Sequence, residues 1–329
     1  MKDKNFYPSY KLLLQNGELE ERANSLKKIL SNCSLCPRNC GVNRSIDEKG
    51  YCASGKKAMV ASYCVHRGEE PSISGERGSG TIFFARCNLS CVYCQNYEIS
   101  QEWEGYSGEI EPEGLAEVYL ELEARKVHNI NWVSPSHIVA QAVEALCIAA
   151  KKGLSIPIVY NSNGYDSVDT LKLLEGIVDI YMPDFKYFDD EAAKQLSDAP
   201  AYPHFAKKAI QEMWRQVGEL KLDKDGTAIK GLLIRHLVLP NGFSQSEEVI
   251  KYISEEISPK AALSLMSQYY PAHKARLYER ISRPITAEEY QKALNALDES
   301  GITEGFVQEL SSYQNYRPDF SKKGHPFEE

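Results

Sequence analysis

Six short apolar runs between residues 81 and 266, each followed by a stretch patterned as helix, restrict this chain to a parallel α/β arrangement. The runs fall at 81–85, 129–133, 156–160, 178–182, 232–239 and 262–266. Each is strand-length, rich in β-branched and aromatic residues, and bounded by Gly, Pro, Asn or Asp. Parallel neighbours need a long crossover connection, and the intervening segments at 112–126, 137–151, 168–175, 189–217 and 245–257 have helical spacing. Pro112 suits a first helical turn and Ser136 suits a cap, while the 189–217 segment is expected to break at Ala199-Pro200 and at Pro203. Asp223-Lys-Asp-Gly226 reads as a hairpin turn, and a last helix at 286–299 precedes a terminal strand within 301–310. Residues 11–31 read as one or two docking helices interrupted at Asn16-Gly17.

Chemistry in such folds gathers where strands end. The first run, led by Gly78-Ser-Gly80, delivers Cys87, Cys91 and Cys94 in the spacing CxxxCxxC, with no further cysteine for fifty residues. Thiolates suit iron–sulfur clusters and zinc. A closed structural site wants four protein ligands, so three leave one position open to substrate or cofactor. Half a zinc ribbon, or unligated core thiols, would leave the glycine-rich lead without a purpose. A second group, Cys33, Cys36, Cys40 and Cys52, can close a zinc site, hold another cluster, or remain free structural thiols. Cys64 and Cys147 read as small buried hydrophobes.

Eight of the nine cysteines lie between residues 33 and 94, in a chain whose N-terminus lacks a signal-peptide core. Metal explains them better than disulfides, and the expected location is cytoplasmic. A net charge of −8 argues against a broad nucleic-acid face, and no apolar run approaches membrane-spanning length. The connector 65–80 reads as a solvated turn, with His66, Glu69 and Glu70 at the mouth of a site as the alternative. The tail SKKGHPFEE reads as frayed.

The string RGSGTIFFARCNLSCVYCQN, with Tyr93 before the last cysteine, resembles the radical S-adenosylmethionine superfamily, in the branch around pyruvate formate-lyase activating enzyme. The likeness runs from about Cys33 to residue 310. It implies a partial (β/α)6 barrel over 76–310, with a helical and cysteine-rich extension over 1–75 and a tail over 311–329. It implies further that Cys87, Cys91 and Cys94 hold a [4Fe–4S] cluster whose fourth iron grips S-adenosylmethionine. One electron then cleaves the cofactor to methionine and a 5′-deoxyadenosyl radical, which abstracts hydrogen from a substrate. Carried onto this chain, the family's cofactor contacts fall on Asp184 and Lys186 of Met-Pro-Asp-Phe-Lys, on Arg235 in the fifth run, and on Asn96 two after Cys94. Tyr93 joins them. Two departures stand out. Asn161-Ser-Asn-Gly164 replaces an acidic cation-binding motif, and Ser134-Pro-Ser136 replaces Gly-Gly-Glu, leaving Asn161 and Ser134 as the local substitutes. Tyr269, Tyr270 and His273 would overhang the substrate side or simply pack.

The implied partners are an electron donor such as flavodoxin or ferredoxin and a substrate that is a glycyl-radical enzyme, a peptide or a small metabolite. A zinc-stabilised scaffold or nucleic-acid module is the reading from another class.

Overall fold

The computed structural model describes residues 7–105, 108–314, 318–320, 322 and 326–327. Helices α1 (Tyr10–Asn16) and α2 (Glu18–Ile29) separate at Gly17, whose φ of 85° is left-handed and suited to glycine. Together they cover one flank of the barrel. Strand β1 (Ala58–His66) follows the cysteine-rich loop, and the short helix α3 (Pro71–Ser74) leads into β2 (Ser79–Phe84). Then come α4 (Tyr97–Ser100), β3 (Gly108–Ile110), α5 (Pro112–Ala124), β4 (Ile130–Val133), α6 (Val139–Lys151), β5 (Ile158–Asn161), α7 (Val168–Leu173) and β6 (Ile180–Tyr181). The chain continues through α8 (Asp190–Ser197), α9 (Tyr202–Val217), β7 (Lys221–Leu222), β8 (Ala228–Leu237), α10 (Ser246–Tyr252), β9 (Ala262–Met266), α11 (Ala287–Ser300) and β10 (Gly305–Val307).

The sheet runs β10-β9-β8-β6-β5-β4-β2-β1-β3, with β7 paired to β8 off that path. Every pairing from β2 to β10 along it is parallel. Among the described residues no pairing joins the two edges, so the barrel is open. The expected α/β class and partial-barrel architecture hold, and all six sequence-read strands lie within a residue or a few of their places. The helices form the outer layer because their apolar faces, such as Leu115, Val118 and Leu122 of α5, are buried against the sheet. Cys64 and Cys147 are buried, as their setting suggested.

Four local expectations are corrected. The connector before β2 is not a solvated turn. Its Ile73 is fully buried inside the barrel with Val159, Ile180, Met182 and Leu233, and it draws Glu69 and Glu70 inward with it. Ser136 does not cap a helix: a 3-10 turn occupies Pro135–His137, and α6 starts later without a side-chain cap. Pro203 does not interrupt a helix, because it sits in the first turn of α9, where its missing N–H costs nothing. The tail is not wholly frayed either. Phe320 and Phe327 pack against Phe83 with ring centroids 5.4 and 6.1 Å away; positions 321, 323–325, 328 and 329 of the tail lie outside the described residues. Strand β1 itself had no place in the sequence reading, since its alternation is weak. It pairs antiparallel with β2, so the sheet begins at Ala58.

Candidate functional site

A cavity of about 490 Å³ opens at the C-terminal ends of the parallel strands. Cys87, Cys91 and Cys94 all line it, together with Tyr93, Asn96, Ser134, Asn161, Asp184, Lys186 and Arg235. Sequence positions spread over roughly 150 residues are thus brought to one space.

The cysteine loop leaves β2 through Arg86, a left-handed residue at φ 70°, and docks on the end of α8, where Ser90 and Val92 donate to the carbonyls of Ser197 and Leu196. Each sulfur has a polar neighbour. Cys87 Sγ accepts from the Leu89 backbone N–H and from Asn163 Nδ2, both at 3.4 Å. Cys91 Sγ accepts from Ser197 Oγ at 3.0 Å, and Cys94 Sγ lies 3.3 Å from Ser100 Oγ. Burial pushes the Cys87 thiol up to about 12 and the Cys94 thiol to about 11, with the other sulfurs adding to the rise. As bare thiols they stay protonated, and only a metal would hold them as thiolates.

Across the cavity, Asp184, Lys186 and Arg235 form a buried ionic knot. Strand β6 runs on past Tyr181 to place Asp184 beside Arg235 of β8 in an isolated parallel bridge. Arg235 Nε donates to Asp184 Oδ1 at 2.9 Å, and Lys186 Nζ donates to Oδ2 at 2.6 Å. Arg235 Nη2 donates to Asn161 Oδ1 at 2.7 Å. Burial alone would raise the Asp184 carboxyl, but Arg235 and Lys186 outweigh it and hold the group below its ordinary range. These side chains are only 13–18% exposed, so the knot is not a surface ion pair.

The other sequence candidates sort by packing. Tyr93 is buried, its hydroxyl 2.5 Å from that of Tyr187, and its ring meets Tyr269 edge-on at 5.7 Å. Ser134 turns the chain at the end of β4 with φ 53° and donates its N–H to the Asn161 carbonyl. Tyr269 lines the cavity and anchors its hydroxyl on the Ile281 carbonyl. His273 stacks on Tyr97 at 4.8 Å, and Tyr270 accepts from Arg276, so neither reaches the cavity wall. Glu69 and Glu70, which the sequence offered at the mouth of a site only as the alternative to a solvated turn, line the cavity, and so does Asn163, to which sequence reasoning gave no role. Pro71 and the lone apolar Ile73 just after the two glutamates are the signal that could have placed them.

Cys33, Cys36, Cys40 and Cys52 line a separate void of about 10 Å³ with Arg44 and His137. Burial pushes the Cys36 thiol up to about 12. Arg44 bridges the loop to the barrel by donating to the His137 and Gly55 carbonyls, and Arg38 donates to the Asn88 carbonyl at 2.9 Å, one residue from Cys87. Among the described residues, no three His, Cys, Asp or Glu side chains are arranged to hold a single metal ion. A four-iron cluster is wider than one ion. Three thiols ringing a cavity, with hydrogen-bond donors on the sulfurs and no fourth protein ligand among them, fit that larger group.

An open parallel barrel thus carries a three-thiol loop and a buried ionic knot around one cavity. The profile of the radical SAM superfamily matches residues 81–213, so this stretch carries a domain of that superfamily. It is 32% identical over 292 residues to an uncharacterised protein of Methanocaldococcus jannaschii, covering 86% of this chain and 79% of that one. A second uncharacterised protein of the same organism is 22% identical over 300 residues, covering 86% and 82%. Among solved structures, methylornithine synthase aligns with a TM-score of 0.48 at 12% identity, covering 96% of this chain and 86% of its own. The [FeFe]-hydrogenase maturase HydG aligns with a TM-score of 0.48 at 12% identity, covering 76% and 55%.

Proposed function

We propose that Cys87, Cys91 and Cys94 hold a [4Fe–4S] cluster, and that the cavity beside them binds S-adenosylmethionine for radical hydrogen abstraction. When bound, the cluster supplies the electron that cleaves the cofactor. What carries the reading is the convergence of three thiols, without a fourth, on a cavity whose far wall is the Asp184–Lys186–Arg235 knot.

This chain's own residues do the binding. Lys186 and Arg235 offer positive charge for a carboxylate, and Arg235 adds planar donors. Asp184 keeps both cations in place and in turn can accept from hydroxyls. Asn161, Asn96 and Ser134 offer amide and hydroxyl groups around the same space, and Tyr93 closes the wall behind the loop. The buried rings of Tyr93, Tyr187 and Tyr269 limit the access of water to a reactive intermediate. An electron donor such as flavodoxin or ferredoxin would meet the exposed side of the loop.

A cavity of this size holds a small ligand or a single side chain alongside the cofactor. That supports a small metabolite or a peptide residue as substrate. Activation of a glycyl-radical partner, the activase-like reading, rests on the likeness of the cysteine string alone. The four N-terminal thiols, which are not arranged around a single ion, hold another cluster rather than zinc in this proposal, with Arg38 and Arg44 tying their loop to the barrel.

Anaerobic purification, reconstitution and reduction in the presence of S-adenosylmethionine test the reading. The expected products are methionine and 5′-deoxyadenosine, with about four irons if only one cluster forms and about eight if the extension holds another. Changing Cys87, Cys91 and Cys94 to Ala abolishes release. A colourless protein containing zinc alone and releasing no 5′-deoxyadenosine would leave the scaffold reading in its place.

A further inference from the structure

The cavity floor is anionic. Glu69, Glu70 and Asp184 face Arg235 and Lys186 there, three carboxylates against two cations. Asp184 engages both cations at hydrogen-bond distance. Arg235 gives Nη2 to Asn161 and leaves Nη1 3.7 Å from Glu69 Oε2. Asn131 Nδ2 completes the Glu69 environment at 3.0 Å from Oε1. Glu70 is left over. Ser264 and its own N–H lie beside its carboxyl, but Oε2 is buried with no hydrogen-bond partner. Burial pushes the carboxyls of both glutamates above their ordinary range, against the pull of Arg235.

A loose loop does not account for this. Pro71 occupies the first turn of α3, and Ile73 is locked in the barrel interior. Ser74 Oγ pins the Glu69 backbone on both sides, accepting from its N–H at 3.1 Å and donating to its carbonyl at 3.4 Å. A fixed, buried carboxylate oxygen without a partner destabilises a folded chain, and a cationic ligand is one group that would complete it. The same cavity is also lined by the apolar and aromatic side chains of Met266, Tyr269 and Phe306. That pairing of an anionic floor with a greasy wall suits a hydrocarbon stem ending in a charged nitrogen.

We propose that Glu70, backed by Glu69, is the substrate-recognition site of this cavity and receives a primary amine or guanidine of the substrate. The inference rests on the radical S-adenosylmethionine reading for the identity of the cavity's other occupant. The amine could belong to a free metabolite or to a side chain of a peptide, and the two sources share this chemistry.

Calorimetric titration of the reconstituted full chain, with and without S-adenosylmethionine, tests it. The probes are agmatine and benzylamine, benzyl alcohol as the neutral match, and a lysine pentapeptide beside its norleucine counterpart. At least one amine binds saturably and at least tenfold more tightly than benzyl alcohol or norleucine peptide. Glu70→Gln loses that advantage by tenfold or more while S-adenosylmethionine affinity stays within twofold. Preference for the lysine peptide over both free amines assigns a peptide source, and the reverse assigns a metabolite. Without ligand, Glu70→Gln melts at a higher temperature than the parent, since it removes a buried charge with one oxygen left without a hydrogen bond, whereas a purely structural carboxylate would melt lower when replaced. Amines that bind no better than the neutral probes overturn the proposal. So does a Glu70→Gln chain that melts lower, or one that loses S-adenosylmethionine, because Glu70 would then belong to the cofactor site. A parent chain that binds amines but no S-adenosylmethionine supports the amine site and sinks the cofactor reading alone.

Discussion

Gly164 follows β5 at φ +77°, and a Cβ added there would stand 2.2 Å from the Asp184 carbonyl oxygen and 2.9 Å from Tyr202 Oη. Real Cβ atoms keep at least 3.0 Å from such neighbours, so one of the two backbones must yield by about 0.8 Å. Neither is free to. Tyr202 Oη donates within reach of the Asn163 and Asp184 carbonyls at 2.8 and 2.9 Å, and it accepts from the Lys186 N–H at 2.9 Å. Gly164→Ala therefore adds about 1–2 kcal/mol for an L-residue held left-handed. Crowding a well-packed site adds about 1–3 kcal/mol more. Gly301 is the control: it has φ +76° with nothing within 4 Å of a built Cβ, so Gly301→Ala shows the backbone cost alone. Urea unfolding of both variants should place Gly164→Ala at roughly 2–5 kcal/mol below the parent and Gly301→Ala at about 1–2 kcal/mol below it. The displacement also reaches Asp184. Misplacement on the scale of 1 Å can cost about 100-fold in turnover, so 5′-deoxyadenosine release should fall steeply in Gly164→Ala and stay level in Gly301→Ala. Equal stability of the two variants would refute the argument that Gly164 is required by the approach of Asp184.

Two further outcomes follow from groups far from the cysteines. Asp179 is fully buried, and burial raises its carboxyl to about 6 although it accepts from the Ser9 and Ile158 N–H groups. Because the folded chain keeps this proton more strongly than the unfolded chain, the contribution is full below about pH 4 and is lost as pH rises through 6, by about 3 kcal/mol. Asp179→Asn should flatten that decline in unfolding free energy between pH 4 and 7, and an unchanged slope would count against the assignment. Thr286 and Glu289 form a capping box at the start of α11, with the Thr286 side chain accepting from the Glu289 N–H and the Glu289 carboxylate accepting from the Thr286 N–H. Thr286→Ala should lower stability by about 1 kcal/mol in urea, with little effect on cofactor binding.

The alternation of apolar runs with helical stretches was enough to place the strands of the barrel, because a parallel pair cannot be joined by a tight turn and must cross over. The cysteine string was legible for a similar reason, since its three sulfurs lie within eight consecutive residues and their spacing alone defines a loop. Asp184, Lys186 and Arg235 could be named only by likeness to a family. Nothing local in Met-Pro-Asp-Phe-Lys distinguishes a buried ionic knot from a surface pair, and only the parallel register of β6 with β8 sets Asp184 beside Arg235. The glutamates show the limit most plainly. Glu-Glu-Pro in a glycine-rich connector has the composition of a solvated turn, and one buried isoleucine two residues beyond the proline reverses that by drawing the segment into the barrel. Local pattern in the sequence determined which elements form and where the sulfurs sit along the chain. Tertiary structure decided which charges share a low-dielectric cavity, because burial is set by the neighbours that distant segments supply.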